Sequence, residues 1–368
     1  MRGLYIHIPF CLKKCAYCDF YSLPGRLDTL DAYIDAVLAE ARKYGGMDFQ
    51  TLYLGGGTPS LLGAGGLNRL IGGLRQICNL SQLSEATIEA NPESINQSFL
   101  KAALASGLNR ISIGVQSFSD VELQKVGRIH TAARAAVAVE EARAAGFTNI
   151  SADAILGLPG QDWPSLMITL ETLIGLDIQH LSLYCLAIEP HTPLALSPPA
   201  DLISDDEQAD LYSQACMLLT ERGFNHYEIS NFALSGYECR HNLNYWRGGE
   251  YLGLGPAAAS HLEGKRFKNK ADLDAYLQDP GGQAEEVEEL EPSQKAGEEA
   301  ILRLRLLHEG LDINELAAKY GDNTVVALVS RLDKLVTDNL LLRDGPNYRL
   351  PVSCALVSNP ILTRVLGD

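Results

Sequence analysis

What the chain lacks narrows its class first. No run of 18 apolar residues occurs in its 368, so neither a membrane-spanning helix nor direct membrane insertion is expected. Cations are in deficit: 30 Lys and Arg stand against 46 Asp and Glu, a formal net charge of −16. A nucleic-acid partner needs a surface that neutralises phosphates, so no such partner is expected. The opening MRGLYIHIPFC has neither a long apolar stretch nor a small-residue cleavage site, so the expected compartment is the cytoplasm. Disulfides are then not expected either. The eight cysteines read instead as buried fillers where scattered and as metal or redox groups where clustered.

Strand-like and helical patterns alternate through most of the chain. Expected strands are Leu4–Ile8, Thr51–Leu54, Ala86–Ala90, Arg110–Val115, Ile150–Leu156 and Leu181–Ala187. The first helix shows the rule: Asp28 is a candidate cap, and Leu30, Tyr33, Ile34, Val37, Leu38 and Ala41 recur at helical spacing. Six consecutive β-α units with short loops favour parallel strands with right-handed crossovers, an α/β fold. Two further runs, Tyr227–Ile229 and Tyr251–Leu254, are placed to close or extend the sheet. Near Pro280 the pattern changes. Ala284–Glu299 carries seven Glu against one Lys and reads as a solvated inter-domain connection. Helices at Ala300–Leu307, Ile313–Lys319 and Val325–Asn339, then a hairpin turning at Asp344-Gly345, suggest a small winged-helix-like domain. The expected division is residues 1–280 and 281–368.

The densest chemistry is Cys11-Leu-Lys-Lys-Cys15-Ala-Tyr-Cys18, directly after the first strand. Soft thiolates at this spacing hold zinc or an iron–sulfur cluster. Zinc wants a fourth ligand, and the nearest candidate, His7, sits four residues back inside the strand. Three cysteines on a [4Fe–4S] cluster leave one iron open to an outside ligand. Other distinctive residues fall at later strand ends, where α/β barrels carry their active groups. These are Gly55-Gly56-Gly57-Thr58-Pro59, then Glu89 in Glu-Ala-Asn-Pro-Glu, then Gln116 with Arg128 beyond it. Asp153 stands within an apolar strand, a costly place for a charge without a partner or ligand.

CxxxCxxC after a first strand, in a chain of repeated β-α units, resembles the radical S-adenosylmethionine (SAM) superfamily. The rest is similar to its anaerobic coproporphyrinogen III oxidase-like branch. The resemblance implies an incomplete (β/α)6 TIM-like barrel with extra strands and a C-terminal helical domain. It implies that Cys11, Cys15 and Cys18 bind a [4Fe–4S] cluster whose free iron SAM chelates through its amino and carboxylate groups. Gly56, Gly57 and Thr58 would hold the methionine part, with Glu89, Gln116, Arg128 and Asp153 as further SAM contacts. Tyr5 would line the cluster, and Tyr17 matches the aromatic before its last cysteine.

Two departures count against an oxidase. The oxidases usually carry another Cys two positions after the third, where this chain has Asp19-Phe20, and they carry an N-terminal extension where only ten residues precede Cys11. The block Cys239-Arg-His241-Asn-Leu-Asn-Tyr245-Trp246, with Tyr227-Glu-Ile-Ser-Asn-Phe232 before it, resembles instead the haem chaperones of this branch. From spacing alone it reads rather as a His–aromatic cluster packing the barrel's end. The resemblance implies haem bound through His241, with Cys239 and Tyr245 as alternative ligands. It also implies transfer to acceptor haem proteins, respiratory ones among them, and no coproporphyrinogen oxidase activity. Cys78, Cys185, Cys216 and Cys354 are expected to be fillers.

Overall fold

A computed structural model describes residues 1–282 and 284–367. Six strands lie side by side in chain order: β1 (Arg2–Ile8), β2 (Thr51–Gly56), β3 (Glu85–Ala90), β4 (Arg110–Gln116), β5 (Ile150–Leu156) and β6 (His180–Cys185). Every neighbouring pair among them is parallel. Two short strands, β7 (Asn225–Glu228) and β8 (Asn231–Ala233), extend the β6 edge antiparallel. At the other edge β9 (Glu250–Leu254) pairs parallel to β1. Antiparallel β10 (Ala259–Leu262), β11 (Lys265–Asn269) and β12 (Ala284–Glu289) follow it. The two outermost strands, β12 and β7, do not pair with each other, so the sheet is the expected open α/β barrel with added strands.

The period-two pattern of β1 shows how the fold separates core from site. Leu4, Ile6 and Ile8 are fully buried and join the main apolar cluster, while Tyr5 and His7 alternate with them and face the other way. The first helix, Leu30–Ala41, buries Tyr33, Ile34, Val37, Leu38 and Ala41 as its spacing predicts. Its cap differs. Asp28 lies in a 3₁₀ turn, Thr29 holds the cap position, and the Thr29 hydroxyl donates back to the Arg26 carbonyl at 2.7 Å. Later helices are capped conventionally, by Thr131, Asp162 and a Ser204/Glu207 capping box.

The acidic stretch overturns one expectation. The side chains described in Ala284–Glu289 are exposed, as expected, but the segment is an edge strand of the sheet rather than a connection, pairing with the basic β11: Lys265 lies opposite Glu289, Arg266 opposite Glu288 and Lys268 opposite Glu285. Cross-strand charge pairing favours this register. The expected boundary at 280/281 therefore falls inside the sheet, and the C-terminal unit begins after Glu289. Its first helix spans Pro292–Arg303 rather than 300–307, because Glu291 and Gln294 form a capping box and proline suits the first turn. Helices Ile313–Tyr320 and Asp322–Thr337 and a hairpin with Gly345 at φ 57° follow, then a helix at Ser358–Leu366.

Candidate functional site

A cavity of about 440 Å³ opens at the strand ends of the barrel, and Cys11, Cys15 and Cys18 line it. All three are free thiols. Donors already face two of the sulfurs. The Thr58 hydroxyl donates to the Cys11 sulfur at 3.5 Å, and the Arg128 guanidinium to that of Cys15 at 3.7 Å. Such donors and charge are what stabilise cluster thiolates. Among the described residues no three His, Cys, Asp or Glu side chains gather as a single-ion site. Cys15 and Cys11 lie near enough for their charge to be felt at Cys18, and a [4Fe–4S] cluster takes each such thiolate on a different iron. Burial pushes the Cys18 thiol up, so cluster binding there must release a proton.

Asn91, inside the quoted Glu-Ala-Asn-Pro-Glu block but not singled out, ties this wall together. Its amide donates to Thr58 Oγ1 at 3.0 Å, and its carbonyl accepts from Arg128 at 2.9 Å. Arg128 also donates to the Gly114 carbonyl at 2.6 Å. Gln116 has φ 69°, and the β4–β5 register shifts between Gly114 and Gln116. That bulge re-aims Gln116 into the cavity at the expense of backbone strain, a frequent feature of functional sites. Gly56 and Gly57 line the cavity too, yet their lack of side chains first serves internal packing. A Cβ on Gly56 would stand 2.6 Å from the His7 ring, and one on Gly57 would stand 2.6 Å from the Phe10 carbonyl. The Gly57 and Thr58 amides bind the Ile8 and Phe10 carbonyls at 2.8 and 2.7 Å, which clamps the glycine loop against the cysteine loop.

Two carboxylates face the same space. Glu89 accepts from the Tyr53 hydroxyl at 2.8 Å and from the Gly56 amide at 3.2 Å. Burial, helped by the charge of Asp153, pushes its carboxyl up to about 7. Asp153 accepts from Ser112 at 3.1 Å and is also raised by burial. Carboxyls this buried are poised for a cationic ligand. Tyr17 lines the cavity as well. So does Cys185, expected to be a filler, whose thiol burial pushes up to about 12.

Tyr5 belongs elsewhere. It lines a second cavity, of about 790 Å³, together with His7, Tyr245, Trp246, Tyr251 and His261. Only Lys14, Asp19 and Phe20 border both cavities among the described residues. His241 is buried behind this second cavity, at 1% exposure. Its Nδ1 meets Thr51 Oγ1 and its Nε2 meets the Tyr245 hydroxyl, both at 2.8 Å, while its ring stacks on Tyr53 at 5.2 Å. Burial, with Arg110 nearby, drives the imidazole down to about 3. In this conformation the structure thus shows the packing role, with neither ring nitrogen free. The helix carrying it, Arg240–Trp246, is anchored by Glu85, which accepts the Arg240 and His241 amides at 2.9 and 3.0 Å. Cys239 is a fully buried thiol pushed up to about 12, and like His241 it lines neither cavity. The hairpin β10–β11 walls the second cavity, and its polar, basic strands carry no apolar alternation that would mark them in the sequence.

An open parallel barrel with three cysteines after its first strand is the architecture of the radical SAM superfamily, which is matched over residues 5–173. Full-length relatives sharpen this. The chain is 36% identical to "Heme chaperone HemW" of Lactococcus lactis subsp. lactis (strain IL1403), over 100% of this chain and 98% of that one. It is 33% identical to the Bacillus subtilis (strain 168) protein of that name, covering 100% of both. The chain belongs to the HemW family. Among solved structures, the coproporphyrinogen III oxidase HemN from Escherichia coli, titled a radical SAM enzyme, superposes with a TM-score of 0.87 at 25% identity, covering 100% of this chain and 90% of that one. Among the described residues no helix is long and apolar enough to cross a membrane.

Proposed function

We propose that this chain is a haem chaperone that keeps its two cofactor regions apart, a [4Fe–4S] cluster with SAM in the first cavity and haem in the second. The carrying observation is the pair of adjoining cavities, one whose lining includes the three loop thiols and the buried carboxyls Glu89 and Asp153, the other lined by aromatic rings and cations. In the first, Cys11, Cys15 and Cys18 hold the cluster, which supplies an open iron position for SAM. Thr58 and Arg128 offset thiolate charge, Glu89 faces the ligand's ammonium, and Gln116, Asp153, Gly56, Gly57 and Tyr17 shape the remaining wall. In the second, a volume of about 790 Å³ lies within the range of sites that enclose small organic ligands. Tyr5, Tyr245, Trp246 and Tyr251 give it the flat apolar surface a porphyrin needs. His241 supports Tyr245 from behind, and reaches a haem iron only if Tyr245 turns aside. Haem passes on to acceptor haem proteins, and respiratory ones are the acceptors to test first.

The test is anaerobic reconstitution followed by haem titration and product analysis on one sample. Stoichiometric haem binding is expected, and His241→Ala should weaken it several-fold while leaving iron and sulfide unchanged. The likeness to HemN favours a second reading, oxidative decarboxylation of coproporphyrinogen III. Protoporphyrinogen formed with SAM and reductant, or no haem binding by the wild type, would overturn the first.

A further inference from the structure

We propose that His261 is the axial ligand of haem iron in the second cavity, and that Arg266 and Lys268 on the neighbouring strand face the two propionates. This rests on the reading of that cavity as the haem site and adds how haem is held there.

Three histidines surround the cavity, and their hydrogen bonds separate them. His7 donates from Nε2 to the Tyr21 carbonyl at 2.8 Å, so its Nδ1 is the acceptor for the Tyr5 hydroxyl at 3.1 Å. Both nitrogens are engaged. His241 is likewise bonded at both and does not line the cavity. His261 makes one bond, from Nδ1 to the Gly249 carbonyl at 3.3 Å. A carbonyl can only accept, so the proton sits on Nδ1 and the lone pair on Nε2. Among the described residues that Nε2 has no hydrogen-bond partner. An imidazole oriented by an Nδ1–H to carbonyl bond with Nε2 left open is the arrangement metal-binding histidines use. Burial, opposed by that bond, holds the ring below its ordinary range, so it is neutral and able to bind a metal near pH 7.

The strand register supplies the rest. His261 lies opposite Arg266 and Ala259 opposite Lys268, and all four line the cavity. Side chains at this spacing on one face of a strand pair are close neighbours. Tyr251 packs edge-on to His261 at 6.1 Å and Tyr245 edge-on to Tyr251 at 4.5 Å, extending the aromatic wall. Arg266 is ion-paired with Glu298 at 2.7 Å and lies opposite Glu288, as Lys268 lies opposite Glu285, so a propionate would share these cations with carboxylates already there. One open imidazole, a flat aromatic wall and two cations match an iron porphyrin with two carboxylates.

The experiment uses the full chain after anaerobic reconstitution, titrated with haemin and with haemin dimethyl ester. His261→Ala is expected to lose the axial-imidazole absorption spectrum and at least tenfold in affinity, with added imidazole restoring the spectrum and cluster iron unchanged. Lys268→Met should weaken haemin several-fold but leave the dimethyl ester unaffected, and far-UV circular dichroism checks that both variants fold. If His261→Ala keeps the wild-type spectrum while His241→Ala loses it, the ligand assignment is wrong and the haem-chaperone reading stands. If the wild type binds neither porphyrin, both fall.

Discussion

The two cavities share one sheet and one short stretch of wall, yet they are built by opposite means. The first draws on the ends of the parallel strands and on the cysteine loop, and sequence-distant groups meet there because parallel strands bring their C-terminal ends together. Its polar groups bond mainly to one another: Asn91 to Thr58 and Arg128, Glu89 to Tyr53. The second is walled by elements added late in the chain, the helix Arg240–Trp246 and strands β9 to β11. Its order comes from aromatic packing. The two regions are also joined: Glu89 in the first is bonded to Tyr53, Tyr53 stacks on His241, and His241 is bonded to Tyr245 in the second. The difference teaches that one region is set to hold charged chemistry in fixed geometry, and the other to receive a large flat ligand.

The sharpest way to break this comparison is to remove one region's chemistry and ask whether the other notices. Cys15→Ser is expected to abolish the brown cluster absorbance and essentially all bound iron and sulfide. Haem affinity should stay within about twofold, since no cysteine of the loop lines the second cavity. A parallel loss of haem binding would show that the cavities are one site.

The same contrast explains what could be read from the residues. Cys11, Cys15, Cys18, Glu89, Gln116, Arg128 and Asp153 were legible because each follows or interrupts a recognisable strand, and the fold then gathers strand ends. Asn91 and Cys185 were not, because their roles depend on which neighbours the loops bring. His241 was legible as a motif residue, and Tyr245 lies one helical turn on, but the bond to Thr51 arises across 190 residues of sequence and only three-dimensional packing reveals it. β10 and β11 carry Ala-Ser-His-Leu and Lys-Arg-Phe-Lys-Asn, with no apolar face to mark them, since one side lines a cavity. The acidic strand β12 was misread for a related reason: its charge is answered by a strand that was itself invisible.

The next effect is smaller and sits in the first region. A carboxyl near 7 in the folded chain and near 4.5 when unfolded binds more protons folded than unfolded between those values. The Glu89 share of the ligand-free protein's stability should therefore fall as pH rises through that window, by about 1.4 kcal/mol per pH unit and about 3 kcal/mol in all above pH 7, read as the difference between wild type and Glu89→Gln because buried histidines titrate with the opposite sign over the same range. Urea unfolding at pH 5 and pH 8 measures it. Glu89→Gln should remove this part of the slope, and an unchanged slope would place Glu89 in a wetter setting than the cavity shows.

The second region should answer pH with the opposite sign. His241 is buried neutral, down to about 3 when folded against 6.5 ordinarily, so the unfolded chain takes up a proton that the folded chain refuses. Its share of stability is intact above pH 6.5 and is lost as pH falls, about 2 kcal/mol by pH 5. His226, brought down to about 4 by burial, adds a similar but smaller loss. The two windows overlap, so the contributions oppose each other between pH 4.5 and 6.5: His241→Asn should make stability fall more steeply as pH rises there, whereas Glu89→Gln should make it rise. Tyr53 between them and Tyr245 beyond His241 carry no charge near neutrality, because burial raises both phenols well above their usual range. A double variant whose pH profile departs from the sum of the singles would mean that charge on Glu89 is felt at His241 through Tyr53. The cavities would then be coupled through that stack rather than merely adjoining.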